Sequence, residues 1–247
     1  MPIRLGVNVD HVATLRNQRG ERYPDPADAA FVAERAGASQ ITIHLREDRR
    51  HIRDRDLAIL RQTVTTRLNL EMAATQEMLK VVFEHKPDSA TLVPERREEL
   101  TTEGGLDVAM HRENLKRYIR QLREAEVWVS LFIEPDLDQV RAAHKVEANA
   151  IELHTGKYCN AAMRADRAEE LARVVDAAKA ARRLGLAVYA GHGLGYHNLR
   201  PIAAIDEIEE LNIGHAIIAR AVVDGLDRAV RDMVACMAEA RESRASG

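Results

Sequence analysis

No apolar run approaches the 18 residues needed to cross a bilayer, and no basic-then-apolar leader opens the chain, so a soluble, unexported protein is expected. Cysteine is nearly missing. The two present, Cys159 and Cys236, fit neither a disulfide framework nor the paired spacing of a thiolate metal site, which points to a reducing cytoplasm. An excess of positive charge is also lacking: 36 Lys and Arg stand against 39 Asp and Glu, a formal net charge of -3. No global field draws such a chain to nucleic acid or an anionic membrane, so any anion site must be local. No linker or low-complexity segment interrupts the sequence, and residues 1–247 are expected to form one domain.

What is present is a set of eight apolar runs that stop at polar groups: "IRLGVNVD", "QITIHL", "RLNLEMA", "SATLVPE", "VWVSLFIE", "AIELHTG", "AVYAGHG" and "LNIGH". Amphipathic stretches such as "DPADAAFVAERAG" and "RAEELARVVDAAKAARRLG" lie between them, with Asp before and Gly after as capping chemistry requires. Eight Val-, Ile- and Leu-rich strands alternating with helices predict a (β/α)8 TIM barrel with additional short helices. Two segments depart from the minimal pattern. Residues 96–108, with paired threonines and glycines, have the composition of a mobile lid, and Gly225 divides the last helical region in two. The longer of those two helices carries Leu226, Val230, Met233 and Met237 on one face, a packing stripe.

In such a barrel, chemistry is done at the C-terminal ends of the strands. Those ends hold Asn8, Asp10 and His11, then His44 and Arg46, Glu71, Glu95, Glu134, Glu152 and His154, His192, and His215. Polar groups gathered at one end of eight strands cost free energy unless they serve a purpose, so they are expected to wall an active site. Residues two apart on a strand share a face, which pairs Asn8 with Asp10 and Glu152 with His154. Glu71 ends an apolar strand, where partial desolvation suits a general base.

Anion sites follow from different physics. Gly214 and His215 precede a short helix after the last strand, and Gly191, Gly193 and Gly195 follow the seventh, where exposed amides and the helix dipole favour phosphate. Arg19, Arg46 and His51 form a second set of anion donors. Two anion sites imply two phosphorylated substrates, or one substrate carrying two phosphates. No strand ends in lysine, so Schiff-base chemistry would need an amine from a substrate. Histidines and carboxylates at strand ends also suit a metal-dependent hydrolase, though strand one lacks a His-x-His pair. A non-catalytic phosphate sensor would leave the acid/base groups without purpose.

The motifs "GVNVDHVATLRNQRG", "HLREDRRHI", "NLEMA", "TTEGGLDV", "IELHTG", "AGHGLGYHN" and "LNIGHAII", in order over residues 3 to 240, together resemble the pyridoxine 5'-phosphate synthase family. The resemblance implies condensation of 3-amino-2-oxopropyl phosphate with 1-deoxy-D-xylulose 5-phosphate, giving pyridoxine 5'-phosphate, inorganic phosphate and water. It also implies a homo-octamer in the cytoplasm, with no metal or redox cofactor. By the same resemblance His44 and Glu71 accept protons, His192 donates one, and Glu152 stabilises charged intermediates. Asn8, Arg19, Gly193, Gly214 and His215 would hold the aminoketone phosphate, and Asp10, His11, Arg46, His51 and Thr101 the deoxyxylulose phosphate. Val9, where isoleucine is common, and "GKYCN" after strand six depart from the family pattern without replacing a group with a proposed role.

Overall fold

The strands alternate outward apolar residues with inward polar ones, and this alternation builds the molecule. The computed structural model describes residues 2–101 and 104–245; Thr102 and Glu103 of the expected lid lie outside the described residues. Strands β1 (Arg4–Asn8), β2 (Gln40–His44), β3 (Leu68–Met72), β4 (Ser89–Leu92), β5 (Trp128–Ile133), β6 (Ala150–His154), β7 (Ala187–Gly191) and β8 (Glu210–Ile213) pair in parallel and close into a ring in chain order. Helices α1 (Asp10–Arg19), α2 (Pro26–Arg35), α3 (Asp54–Thr63), α4 (Gln76–His85), α5 (Arg112–Glu124), α6 (Leu137–Lys145), α7 (Gly156–Asn160), α8 (Arg164–Arg183), α9 (Leu199–Ala203), α10 (His215–Asp224) and α11 (Leu226–Ala245) surround it. This is the (β/α)8 barrel that the strand pattern predicts, with short helices added.

Leu5, Val7, Ile41, Ile43, Leu68, Leu70, Val129 and Leu131 are buried at alternate strand positions under the helices. The intervening positions are polar and bond across the barrel interior. Gln40 Nε2 donates to Glu210 Oε1 at 2.9 Å, and Ser89 and Thr91 both donate to Asn69 Oδ1. Barrel interiors of this size are usually filled by layers of branched apolar side chains. Here a largely hydrogen-bonded polar core replaces them, with the buried Ser130 hydroxyl unpartnered among the described residues, and the reactive strand ends continue it upward.

Register places the site. His44 lies opposite Glu71 between β2 and β3, His154 opposite Gly191 between β6 and β7, and Gly191 opposite Asn212 between β7 and β8. Helix α2 follows its signals: Asp25 caps it through the Ala27 N–H and Pro26 opens it. On α11, Val230, Met233 and Met237 are buried, and Leu226 is half-buried against the core.

The structure ends several strands earlier than expected and adds a helix. Strand β1 ends at Asn8, β4 at Leu92, β5 at Ile133, β7 at Gly191 and β8 at Ile213, so Asp10 opens α1, His215 opens α10, and Glu95, Glu134 and His192 sit in loops. Tertiary contacts fasten α1. Arg16 makes two hydrogen bonds to the buried Asp56 carboxylate, at 2.7 and 2.8 Å, and Asn17 Nδ2 donates to the His51 carbonyl.

Candidate active site

A cavity of about 850 Å3 opens at the C-terminal mouth of the barrel. Asn8, Asp10, His11, His44, Glu71, Glu152, His192, Gly193, Gly214 and His215 all line it. Of the other expected residues, His51 stands beside His44 with ring centroids 5.8 Å apart, and Arg46 reaches to 3.9 Å of Glu95. Thr101 donates its N–H to the Gly105 carbonyl, and Arg19 is exposed at the end of α1. These four lie outside the cavity lining.

The β1–β2 wall is locked by short bonds. Asn8 Oδ1 accepts the Asp10 N–H, Asn8 Nδ2 donates to Asp10 Oδ2, and Asp10 Oδ1 accepts the His44 N–H at 2.8 Å. His44 Nε2 meets Glu95 Oε1 at 2.8 Å, while Glu95 Oε2 accepts the Glu47 N–H. Asp10, His44 and His51 each bring a donor atom within 4.8 Å of the others, which invites a metal ion. Both Asp10 oxygens, His44 Nε2 and His51 Nδ1 already take part in hydrogen bonds within the protein, the last by accepting the Ile52 N–H. The donor set is that of a hydrogen-bonded wall.

Three carboxyls share the floor. Burial pushes Asp10 up to about 6, against the opposing His44 and Asn8 hydrogen bonds. Glu152 rises to about 7, first by burial and then by the charge of Glu210, while the hydrogen bond from Asn212 Nδ2 at 2.8 Å resists. Glu71 is raised well above the ordinary carboxylate range by burial, then by the charges of Glu152 and Asp10. Glu71 and Glu152 are thereby biased toward their protonated forms near neutral pH, more than Asp10 is. Gly191 makes room for this arrangement: a Cβ there would sit 2.2 Å from Glu152 Oε1.

The imidazoles are tuned the other way. Burial lowers His51 to about 4, helped by the His44 and Arg46 charges. His11 is lowered by burial and by His215, whose ring centroid is 5.0 Å away. His192 is lowered by burial and then by His154. It also sits at φ 76°, a left-handed backbone that is uncommon outside glycine and concentrates at functional sites. Thr155 holds that turn, donating from Oγ1 to the carbonyls of Gly191 and His192 at 2.8 and 2.7 Å.

Two participants were not singled out from sequence. Asn212 anchors Glu152, and Thr155 fixes the His192 turn. Glu134, expected at the end of the fifth strand, pairs with His154 at 2.5 Å. Period-two counting along "LNIG" places Asn212 inward with Gly214 two residues later, which is the signal that could have found it.

A closed parallel barrel with carboxyls and imidazoles converging at its C-terminal mouth defines an acid/base barrel enzyme. The sequence model described as "Pyridoxal phosphate biosynthesis protein PdxJ" matches residues 5–239. A pyridoxine 5'-phosphate synthase of Syntrophotalea carbinolica is 61% identical over 229 residues, covering 93% of this chain and 96% of that protein. Another, of Magnetococcus marinus, is 57% identical over 238 residues, covering 96% and 98%. The chain belongs to the PdxJ family and is an enzyme of vitamin B6 biosynthesis. Among solved structures, phosphoribosyl anthranilate isomerase from Thermus thermophilus overlays with a TM-score of 0.62 at 15% identity, covering 96% of this chain and 99% of that one. KGPDC from Streptococcus mutans overlays with a TM-score of 0.65 at 12% identity, covering 96% and 98%. Those two likenesses are of fold alone. No helix among the described residues is long and apolar enough to cross a membrane.

Proposed function

We propose that the chain condenses 3-amino-2-oxopropyl phosphate with 1-deoxy-D-xylulose 5-phosphate to give pyridoxine 5'-phosphate, inorganic phosphate and water. The observation that carries this reading is the enclosure of Glu71, Glu152 and Asp10, all raised, in one cavity with His44 and His192. The substrate amine condenses with the deoxyxylulose ketone to an imine and releases water. Proton removals and the elimination of inorganic phosphate then build an enamine, whose carbon closes the ring on the other ketone, and that ketone's oxygen leaves as a second water. Glu71 and His44 take protons, His192 returns one to a leaving oxygen, and Glu152 stabilises cationic intermediates. The incoming ammonium supplies the countercharge that lets the buried carboxyls ionise.

The amides opening α10 at Gly214 and His215, with Gly193, Asn8 and Arg19, are assigned to the aminoketone phosphate. Asp10, His11, Arg46, His51 and Thr101 are assigned to the deoxyxylulose phosphate. The working form is taken to be a cytoplasmic homo-octamer of single barrel domains. Purified protein incubated with both substrates, without added metal, is expected to release pyridoxine 5'-phosphate and inorganic phosphate in equal amounts by chromatography. If folded protein and intact substrates yield neither, the reading fails.

A further inference from the structure

Glu134 and His154 form an acid/base pair that the proposed chemistry does not use. Glu134 follows β5 and is 2% exposed. Its Oε1 faces His154 Nδ1 at 2.5 Å and accepts the Gly105 N–H at 3.1 Å, while its Oε2 has no partner among the described residues. Gly105 presses closely on this carboxylate's backbone: a Cβ there would stand 2.5 Å from the Glu134 nitrogen. The His154 ring is caged on its other sides. Phe132 tilts onto it at 4.9 Å, and it meets His192 edge-on at 4.7 Å and 70°. Its Nε2 faces Gly156, where a Cβ would come within 2.6 Å of it and 3.3 Å of the His192 ring.

A carboxylate that takes Nδ1–H fixes the tautomer and orientation of an imidazole, as the acidic member of a hydrolytic triad does. Burying such a pair costs desolvation that an apolar pair would avoid, so stability alone does not account for it. We propose that Glu134 and His154 are a positioning pair for His192, orienting its imidazole and governing when it holds its proton. This rests on the reading of His192 as the proton donor. The lowering of His192 by burial and by the charge of His154 agrees with the geometry. The other titratable groups facing His192 are Glu152 beside Gly191, Cys159 and Lys157 of α7, and Asp166 and Glu170 of α8 around the adjoining side pocket. Among them, only His154 meets the His192 ring edge-on within the described residues.

The test follows the His192 imidazole by NMR through a pH titration of the full, ligand-free protein, with its resonance assigned by loss in His192→Asn. In His154→Gln, removal of the neighbouring charge is expected to raise the His192 midpoint by about one pH unit. Glu134→Gln keeps an acceptor for Gly105 but drops the negative charge, and it moves the same midpoint. In turnover assays the basic limb of kcat/KM is expected to shift in both variants, with kcat falling about tenfold while KM holds. A His192 midpoint unchanged in both variants overturns the proposal, and Glu134→Gln decides if His154→Gln does not fold. If the midpoint moves but wild-type protein forms no pyridoxine 5'-phosphate, the pair's control of His192 stands and the proposed reaction falls. If product forms normally and the midpoint stays, the reaction stands and the pair is structural only.

Discussion

Replacing Glu152 by Gln is expected to stabilise the ligand-free protein, and to do so only as the pH rises. Glu152 goes from an ordinary 4.5 in the unfolded chain to about 7 in the fold. The folded form therefore binds this proton more tightly, and the stability it confers is present below about 4.5 and lost as pH climbs through about 7. A rise of about 2.5 units at 1.36 kcal/mol each amounts to roughly 3 kcal/mol over the whole range. Between about pH 5 and pH 8.5 the gap between Glu152→Gln and wild type should widen by roughly 2–3 kcal/mol, or about 5–10 °C in Tm. A glutamine oxygen still accepts from Asn212 Nδ2, so the hydrogen bond at that position survives. Relief of the repulsion on Glu71 adds to the effect. Thermal midpoints by circular dichroism across this pH range provide the assay. An offset that does not change with pH, or a variant less stable at pH 8.5, would refute the reasoning.

Four further outcomes are expected. Glu71→Gln should fold normally and lower kcat by about 10²–10⁴, while the wild-type acid limb of kcat/KM should lie above the ordinary carboxylate range; a limb near 4.5 contradicts the raised Glu71. Gly191→Ala drives a Cβ to 2.2 Å from Glu152 Oε1 and 3.1 Å from the Asn212 carbonyl, so activity should fall about a hundredfold, and near-normal turnover would show that the site can yield. Arg16→Met strands the buried Asp56 carboxylate and should cost about 3 kcal/mol in urea unfolding, whereas a loss under about 1 kcal/mol would mean that Arg55 and the Arg53 amide suffice. Prolonged dialysis against a chelator should leave turnover unchanged, because both Asp10 oxygens, His44 Nε2 and His51 Nδ1 are held in hydrogen bonds within the protein; loss of activity restored by zinc would favour a metal site there.

The eight strands were legible because each apolar run ends at a polar group, and the ring forms in that order. Helix α1 was not, since "DHVATLRNQR" has no clear apolar face and is fixed by Arg16 and Asn17 reaching residues more than 30 positions away. The same fact moves Asp10 from a strand end to a helix start, where it still faces the cavity. Strand-end counting and the glycine turns brought ten of the named residues to one cavity: period-two alternation turns Asn8, His44, Glu71 and Glu152 inward, and the other six follow closely on strand ends. Arg19, Arg46, His51 and Thr101 sit in or after loops and helix ends, whose direction local pattern does not set. Asn212 escaped notice because an inward position on the last strand reads as core. Its role depends on Glu152 from a strand two places away.

Strand β1 finds its second partner only in β8, with Arg4 opposite Glu210 and Val7 opposite Ile213. A ribosome therefore finishes nearly the whole chain before the first strand can be paired on both sides. Until then β1 and β7 are open edges able to template the wrong neighbour. The pocket wall that joins Asn8 to Gly214 and His215 comes into being at that last closure. Chains that stop before residue 213 thus lack this wall and keep the first strand's edge open.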